Sequence, residues 1–464
     1  MTAAFFTLVL ILALGAGVLS RRGSKKEISD YLVGGRSFGP LLVFILGAGE
    51  AYSIGTLIGF PGGVYAHGAS YGIWFIGYIL LAYPIGYFFA PYLWRAGKRY
   101  GAMTLPDVAG RHFRSRGLEL TIAIAAVVFL IPWGQLQLAG LQIALTGLGI
   151  SIDPTVAVFA GAALALLFLM LSGVRAPAFV SYVKDTALLL GAVLIGLAAI
   201  VQTGGTEKLF AAAESSGGTA SHSTVTGSSL TFVLTTIVFQ SLGFFIFPIV
   251  VQAVLAAKSE ATIKRVAKFN PLYMLMYPFL VLASYYAISQ NLQLASPNEA
   301  FFAAAVRLLP GWLLGLVAAG AALSGLLVLA GICLAIGPIV TRNLMPGLSE
   351  QRQKQSAKVV IVVYLVLSIG MTLATPNLML TLINTAYYGV TQFFPGVLVI
   401  LFGLKVRPAA IALGILGGQG LAMALYVQQP DLGGINPGLI ALAVNVLVTA
   451  FVNYAPRLVR VQPA

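Results

Sequence analysis

Glu50 is a carboxylate in the middle of the apolar stretch LLVFILGAGEAYSIGTLIGFPGGVYA, where Gly47, Gly49 and Gly55 flank it. A charged side chain near the centre of a membrane span is costly, so such residues usually line a pathway or a binding site. Neighbouring glycines allow a helix to unwind and expose backbone carbonyls and amides to a ligand. The segment therefore predicts a site at which a cation or a proton meets the carboxylate of Glu50.

Other polar and aromatic side chains lie inside apolar segments, at positions where they could contact a solute. Ser53 follows Glu50 by three residues, and Gln135 and Gln142 share one helical face because they are seven residues apart. The alternative for such amides is an interhelical hydrogen bond, worth about 1–2 kcal/mol in membranes. We predict the following solute-contacting residues: Ser53, Gln135, Gln142, Gln240, Phe244 and Phe245.

A polar stripe in the segment TLINTAYYGVTQFFPG is a candidate gate. Its members recur at spacings of three or four, so they lie largely on one face of a helix. Such a stripe requires either water or polar partners, and we expect it to border an outer vestibule. The stripe consists of Asn384, Tyr387, Thr391 and Gln392, of which we assign Asn384, Tyr387 and Gln392 to the gate.

The elements that must position these residues are membrane helices. The chain has 464 residues, is 59% hydrophobic and only 9% charged, and has a mean hydropathy of +0.94. Soluble domains contain roughly 25% charged residues. Cys333 is the single cysteine, and the three histidines are scattered along the chain. No thiolate metal site, disulfide framework or nucleophile–base set can be assembled, so the sequence argues against an enzyme and predicts no cofactor.

We predict an all-α polytopic membrane protein with about thirteen transmembrane helices. The predicted spans are 3–20, 40–66, 71–94, 118–149, 154–173, 179–202, 228–256, 271–290, 311–340, 358–375, 377–403, 408–427 and 437–454. With these spans, Lys208 and Arg307 alone of the 27 basic residues fall on one side, and Lys184 is counted with the connecting segments of the other. The positive-inside rule then places the N-terminus outside and the C-terminus in the cytoplasm of a plasma (cell inner) membrane. The net charge of +14 thus reflects topology, and we expect no nucleic-acid partner.

The spans form a single transmembrane domain, 1–464, with internal symmetry. Residues 38–203 and 228–403 each contain five spans, so the second block begins on the opposite side from the first, as an inverted repeat requires. The leading helix of each block is interrupted, by the glycines around Glu50 in one and by Gly243 and Pro248 in the other. Residues 404–464 add two accessory helices. We expect a flexible loop over 204–227 and a short interfacial helix within 291–310.

Several segments resemble the sodium:solute symporter family, over approximately residues 30–405. The segments that carry the resemblance are GAGEAYSIGTLIGFPGGVYAHG, RYGAMTLPDVAGRHF, VSYVKDTALLL, GFFIFPIVVQAVLAAKSEATIKRVAKFNPLY and TRNLM. The GFF–P–AKS–R–A–F–PLY pattern and TRN are most similar to the branch that includes bacterial monocarboxylate permeases. The resemblance implies a five-plus-five inverted repeat with a leading extra helix and transport of a small solute.

The resemblance also implies roles for individual residues. Glu50 and Tyr52 match an acidic residue and a tyrosine in the family's broken helix, and Asp185 matches an aspartate associated with ion coupling or exit. The backbone around Gly49 and Tyr52 would correspond to sodium-coordinating carbonyls.

One departure from the family pattern lies in the ninth predicted span. Where sodium-dependent members carry adjacent hydroxyl residues, this chain has Leu327 and Val328, and Ser324 is the only hydroxyl, one turn earlier. A proton-linked mechanism through Glu50 is therefore the alternative to sodium, because desolvation raises the pKa of a carboxyl group.

We therefore expect a cation-coupled symporter that carries a small organic solute, a carboxylate by preference, across the bilayer by alternating access. The cation-coupling residues would be Gly49, Glu50, Tyr52, Asp185 and Ser324. Three alternatives stay open: proton coupling, a transporter-like sensor without net transport, and a channel. The glycine–proline breaks argue against a channel, because a pore would require a filter or a lining ring instead.

Overall fold

The computed structural model describes residues 1–19, 52–149, 152–172, 175–216 and 227–458. Its regular elements are helices, in agreement with the predicted all-α membrane fold. Among the described residues, nine helices are long and apolar enough to cross a membrane, and a bent pair supplies a tenth. The predicted span over 40–66 is described only from Tyr52 onward, so the count of thirteen stays a prediction.

The described helices of the first half of the chain run from an apolar N-terminal helix to residue 203. A π-helical segment, Gly55–Gly59, runs directly into the second helix, and the buried stretch continues as far as Val64. The helices of this half are α1 (Thr2–Leu19), α2 (Phe60–His67), α3 (Ala69–Arg99), α4 (Leu105–Phe113), α5 (Arg116–Thr146), α6 (Pro154–Ser172) and α7 (Arg175–Thr203).

The second half has the corresponding long helices and several short ones. A 3₁₀ segment, Asn270–Met276, interrupts its second span, and a π-helical segment, Ile339–Leu344, extends its third. The helices are α8 (Thr206–Ser215), α9 (Gly227–Phe244), α10 (Pro248–Ala256), α11 (Glu260–Phe269), α12 (Tyr277–Ser289), α13 (Ala300–Leu308), α14 (Gly311–Pro338), α15 (Glu350–Ala374), α16 (Met379–Val390), α17 (Phe394–Phe402), α18 (Pro408–Gln428) and α19 (Pro437–Leu458).

Two connecting segments differ in how well the sequence predicted them. The short helix expected within 291–310 is present as α13. The flexible loop expected over 204–227 is wrong in its first part, because α8 occupies Thr206–Ser215. Leu209 and Ala213 lie four residues apart on one face of α8 and are fully buried, which stabilises this helix.

Small residues allow the long helices to approach closely, as is usual in membranes. A Cβ atom on Gly320 of α14 would lie 2.7 Å from the Cβ of Ala187 on α7. A Cβ atom on Gly191 of α7 would lie 2.9 Å from Val317 of α14. These two contacts show that α7 and α14 run antiparallel along a shared seam.

At one end of the bundle a polar network joins the short helix α4 to the π-helical segment after α14. The Asn343 amide donates to Asp107 and to Glu119, at 2.7 Å each, and its oxygen accepts from Thr104 at 2.8 Å. Arg342 adds an ion pair with Asp107 at 3.4 Å. The two family-like segments RYGAMTLPD and TRN therefore meet in space.

Candidate functional site

The predicted span over 228–256 is broken, as the sequence predicted. Residues 245–247 separate α9 from α10, and the two helices are bent by 43° at this point. Pro248 is the first residue of α10, and Phe247 before it has an extended backbone with φ −61° and ψ 132°. A residue that precedes proline avoids the helical conformation, so Pro248 explains where the break lies. No side chain caps the N-terminus of α10.

A buried polar group borders this break. The Gln240 amide of α9 donates to Asn384 Oδ1 of α16 at 2.6 Å, and both side chains are buried. Gln240 Oε1 and Thr391 Oγ1 are also buried, without a hydrogen-bond partner among the residues that the structure describes. A Cβ atom on Gly243 would overlap Thr391, so only glycine lets α9 come this close to α16.

Four aromatic rings cover the same break. Tyr387 of α16 lies 5.3 Å from Phe247, 5.5 Å from Tyr78 of α3 and 6.1 Å from Trp133 of α5, measured between ring centroids. We call these four residues the aromatic cluster. Of the four, the sequence predicted only Tyr387. The exposure of each is 2% or less, so the break is closed to solvent at this level.

Phe244 and Phe245, both predicted to contact the solute, pack against α3. Phe244 lies 5.7 Å from Tyr83 and 6.4 Å from Tyr78, and Phe245 lies 6.3 Å from Tyr83. Phe244 thus joins the aromatic cluster through Tyr78, whereas Phe245 lies further along α3, against Gly86.

The break predicted around Glu50 lies outside the described residues, as do Gly49 and Glu50 themselves, and the description resumes at Tyr52. The Tyr52 hydroxyl donates to the carbonyl of Asn270 at 2.7 Å, and its ring stacks on Tyr273 at 4.6 Å. Ser53 Oγ accepts from the backbone amide of Gly55 at 3.2 Å. The described contact of Ser53 is thus with the start of its own helix, as is typical of a capping serine.

A buried ion pair lies next to the tyrosine stack. The Tyr273 hydroxyl donates to Asp185 Oδ2 at 3.2 Å, and Lys184 Nζ lies 2.7 Å from Asp185 Oδ1. The Lys184 side chain is 0% exposed and that of Asp185 is 9% exposed. The sequence placed Lys184 in a connecting segment, and this placement is wrong, since α7 carries it into the protein interior. The arrangement links Tyr52 to Asp185 through Tyr273.

Ser324 of α14 lies at the same level of the bundle. The helix seam places Ser324 one turn beyond Gly320, opposite the turn of α7 that carries Lys184. Ser324 is fully buried, and no described residue bonds its hydroxyl. Leu327 and Val328 follow on α14 and are buried apolar residues. Next to Ser324, a Cβ atom on Gly325 would lie 3.1 Å from Ile54, directly after the first break.

Three other predicted residues lie away from both breaks or have different partners. The Gln135 amide donates to the carbonyls of Met371 and Thr375, at 3.2 and 2.7 Å, and so ties α5 to α15. Gln392 accepts from Asn445 of α19 at 3.1 Å, which directs it toward the C-terminal helices. Gln142 is half-buried, beyond the aromatic cluster on α5.

A cavity of about 580 Å³ lies next to the aromatic cluster. It opens between the ends of α2 and α18 and the starts of α3 and α9, and Tyr388 of α16 is part of its wall. Tyr388 directly follows Tyr387 of the aromatic cluster on α16. Its remaining walls include His67, Tyr71, Phe232, Tyr426 and Asp431.

Known proteins are similar to this sequence over nearly its whole length. The chain is 29% identical over 475 residues to a monocarboxylate transport permease protein of Rhizobium johnstonii, covering 97% of this chain and 95% of the relative. It is 27% identical over 471 residues to YhjB of Bacillus subtilis, an uncharacterized symporter, with coverage of 97% and 96%. A sodium/proline symporter of Salmonella typhimurium is 24% identical, with coverage of 93% and 89%.

Solved structures share the fold. A Na⁺-coupled sialic acid symporter, in a substrate-bound outward-open state, superimposes with a TM-score of 0.81 at 17% identity, covering 98% of this chain and 97% of the other. A nucleobase-cation-symport-1 family transporter matches with a TM-score of 0.58 at 14% identity. The relatives are membrane transporters and not enzymes, as the sequence predicted. A profile of the sodium:solute symporter family matches residues 31–416, and the chain belongs to this family of cation-coupled symporters.

Proposed function

We propose that the chain carries a small carboxylate across the membrane by alternating access, and that the solute binds between the two broken helices. The observation that carries this proposal is the polar group at the second break, where Gln240, Asn384 and Thr391 are buried beside the aromatic cluster. Two of its oxygen atoms lack described hydrogen-bond partners. A buried polar atom without a partner is costly, and of these two atoms the Thr391 hydroxyl can donate to a carboxylate, so such a ligand is stabilised there.

A carboxylate suits this position because of the neighbouring helix end. The first-turn amides of α10 begin at the break, no side chain caps them, and the positive end of the helix dipole favours an anion. Among buried described residues, Lys184 is the only lysine or arginine, and it is already paired with Asp185. Backbone amides together with Gln240 and Asn384 would therefore replace an arginine clamp. The name of the Rhizobium johnstonii relative, a monocarboxylate transport permease, points to the same solute class.

The aromatic cluster serves as the gate in this proposal. Tyr387 and Phe247 lie on the two elements that meet at the break, and Tyr78 and Trp133 complete the closure from α3 and α5. The cavity beside Tyr388 would be the route by which the solute reaches the gate. In this proposal the inverted repeats over 38–203 and 228–403, with the N-terminus outside, relate the outward-open state to the inward-open state of the transport cycle.

The test is uptake by the purified protein in proteoliposomes, with a panel of radiolabelled short-chain acids and matched neutral amides. We expect saturable uptake and counterflow exchange for at least one acid and none for its amide. Glu50→Gln should abolish concentrative uptake while counterflow persists, because Glu50 is the proposed coupling residue. Uptake that is linear in concentration and lacks counterflow would indicate a channel, and absence of any uptake would favour a sensor.

A further inference from the structure

The family name implies a sodium ion, but the side chains that the structure describes around Asp185 do not fit one. Sodium requires several oxygen ligands, whereas α14 presents Leu327 and Val328 and the single hydroxyl of Ser324. The position beside Asp185 already holds a positive charge, since Lys184 Nζ lies 2.7 Å from Asp185 Oδ1. An added cation at this point would be repelled by the ammonium group in a medium of low dielectric constant.

We propose that Lys184 is a resident cation of this site: its ammonium group takes the place of a coupling ion beside Asp185 and makes this position independent of sodium. The inference deepens the proposed function and rests on it, because the question of a coupling ion arises only for a carrier. It makes Lys184 the residue that determines ion specificity at Asp185.

The first argument is burial and pairing. Lys184 is fully buried, and it is the only lysine or arginine in that state among the side chains that the structure describes. Its described polar contact is the ion pair with Asp185, whose other oxygen accepts from Tyr273. A buried charge is tolerated when it is paired, and removal of one member leaves the other uncompensated. Asp185 without Lys184 would therefore need another cation.

The second argument is location. Asp185 is connected through Tyr273 to Tyr52, the first described residue after the break that contains Glu50. On the opposite side, the helix seam places Ser324 level with Lys184. Lys184 is thus level with Ser324 of α14, and its partner Asp185 is linked to Tyr52, which follows the predicted first break; these are the two elements from which the family pattern would draw a sodium ion's ligands. A flexible four-carbon stem allows Lys184 to place its charge there from α7.

The experiment measures thermal unfolding of the full-length purified protein in sodium chloride and in choline chloride of equal ionic strength, without solute. Wild type and Lys208→Ala, a matched change of an exposed lysine, should melt at the same temperature in both salts. Lys184→Ala should melt lower in choline chloride and show a saturable rise with sodium, because the ion then compensates Asp185. The double variant Lys184→Ala/Asp185→Asn should lose the sodium response.

Two outcomes would overturn the proposal. One is a sodium-dependent rise in wild type as large as that in Lys184→Ala. The other is a folded Lys184→Ala protein that does not respond to sodium. If this variant does not fold, binding of radioactive sodium decides: wild-type binding that Asp185→Asn removes would contradict a resident cation, and absence of such binding supports it. Because no solute is used, these results are independent of whether the acid panel is transported.

Discussion

The two broken helices occupy equivalent positions in the sequence pattern, yet their surroundings differ in charge. Tyr52, which follows the predicted first break, is linked through Tyr273 to a buried ion pair, Lys184–Asp185. The second adjoins neutral amides, Gln240 and Asn384, under an aromatic cluster. One break thus provides compensated charge and the other provides hydrogen bonds and ring faces. This difference is the basis for the roles that we propose, ion coupling near the predicted first break and solute recognition at the second.

The largest effect is expected from Asp185→Asn, which removes the negative member of the pair. Lys184 then stays buried without compensation, so the free energy of unfolding should fall by about 3–5 kcal/mol. Denaturant-driven unfolding in mixed micelles measures this. Glu207→Gln, at an exposed carboxylate on α8, is the control and should leave stability unchanged. Wild-type stability of Asp185→Asn would show that the first break is not dominated by charge.

A smaller effect is expected from Gly243→Ala at the second break. The new methyl group would overlap Thr391 and approach Tyr387, and overpacking of this kind costs about 1–3 kcal/mol. Gly370→Ala on α15 is the matched control, since its Cβ would meet no described atom within 4 Å. If Gly243→Ala and Gly370→Ala have the same melting temperature, α9 and α16 pack less closely than the contacts indicate.

The hydrogen bond between Gln240 and Asn384 can be isolated by a double-mutant cycle with leucine. We expect a coupling energy of about 1 kcal/mol in stability. The KM for the solute should rise between about threefold and tenfold, since a tenfold change in affinity corresponds to about 1.4 kcal/mol. Gln135→Leu is the control, because that amide bonds Met371 and Thr375 away from the break. Gln135→Leu should lower the free energy of unfolding but leave KM unchanged. If Gln135→Leu changes KM as much as the Gln240 and Asn384 variants do, solute recognition cannot be assigned to the second break.

The smallest effect is expected from Tyr52→Phe, which deletes the hydroxyl that bonds Asn270 and keeps the ring stacked on Tyr273. The stability cost should be about 1 kcal/mol. Tyr364→Phe deletes a comparable buried bond, to Leu130 at 2.7 Å. Both variants should lose similar stability, whereas only Tyr52→Phe should alter concentrative uptake. An equal effect on uptake would contradict a special role for the first break.

Much of the fold follows from the sequence because its signals are local. Pro248 disfavours a helical conformation at the residue before it. The second break could therefore be predicted to within a few residues from Gly243 and Pro248. The alternation of basic and nearly uncharged connecting segments was the signal that supported the predicted set of membrane spans. The prediction of a loop over 204–227 was wrong for α8. The segment is rich in small and polar residues, and only two positions of α8, Leu209 and Ala213, are buried.

The site was harder to predict because its members meet through tertiary contacts. Lys184 follows the pattern of an interfacial lysine in sequence, yet its side chain is fully buried where α7 packs against α14. Phe247, Trp133 and Tyr78 are ordinary packing residues in sequence, and only their convergence on Tyr387 sets them apart. The partner of each predicted Gln or Asn side chain depends on the rotation of its helix about the helix axis. The sequence pattern does not determine this rotation. Gln240 and Asn384 form a hydrogen bond beside the break, whereas Gln135 forms its hydrogen bonds with α15 and the residue after it.

The network around Asn343 also bears on how the chain is made. Asp107 and Asn343 are 236 residues apart, and Glu119 and Asn343 are 224 apart. At translation rates of about 5–20 residues per second, the two carboxylates wait roughly 10–50 s for their amide partner. During that interval α4 cannot complete its contacts, even when every helix of the first repeat has been synthesised. The ribosome must therefore nearly complete the third span of the second half before this corner of the first half can reach its native arrangement.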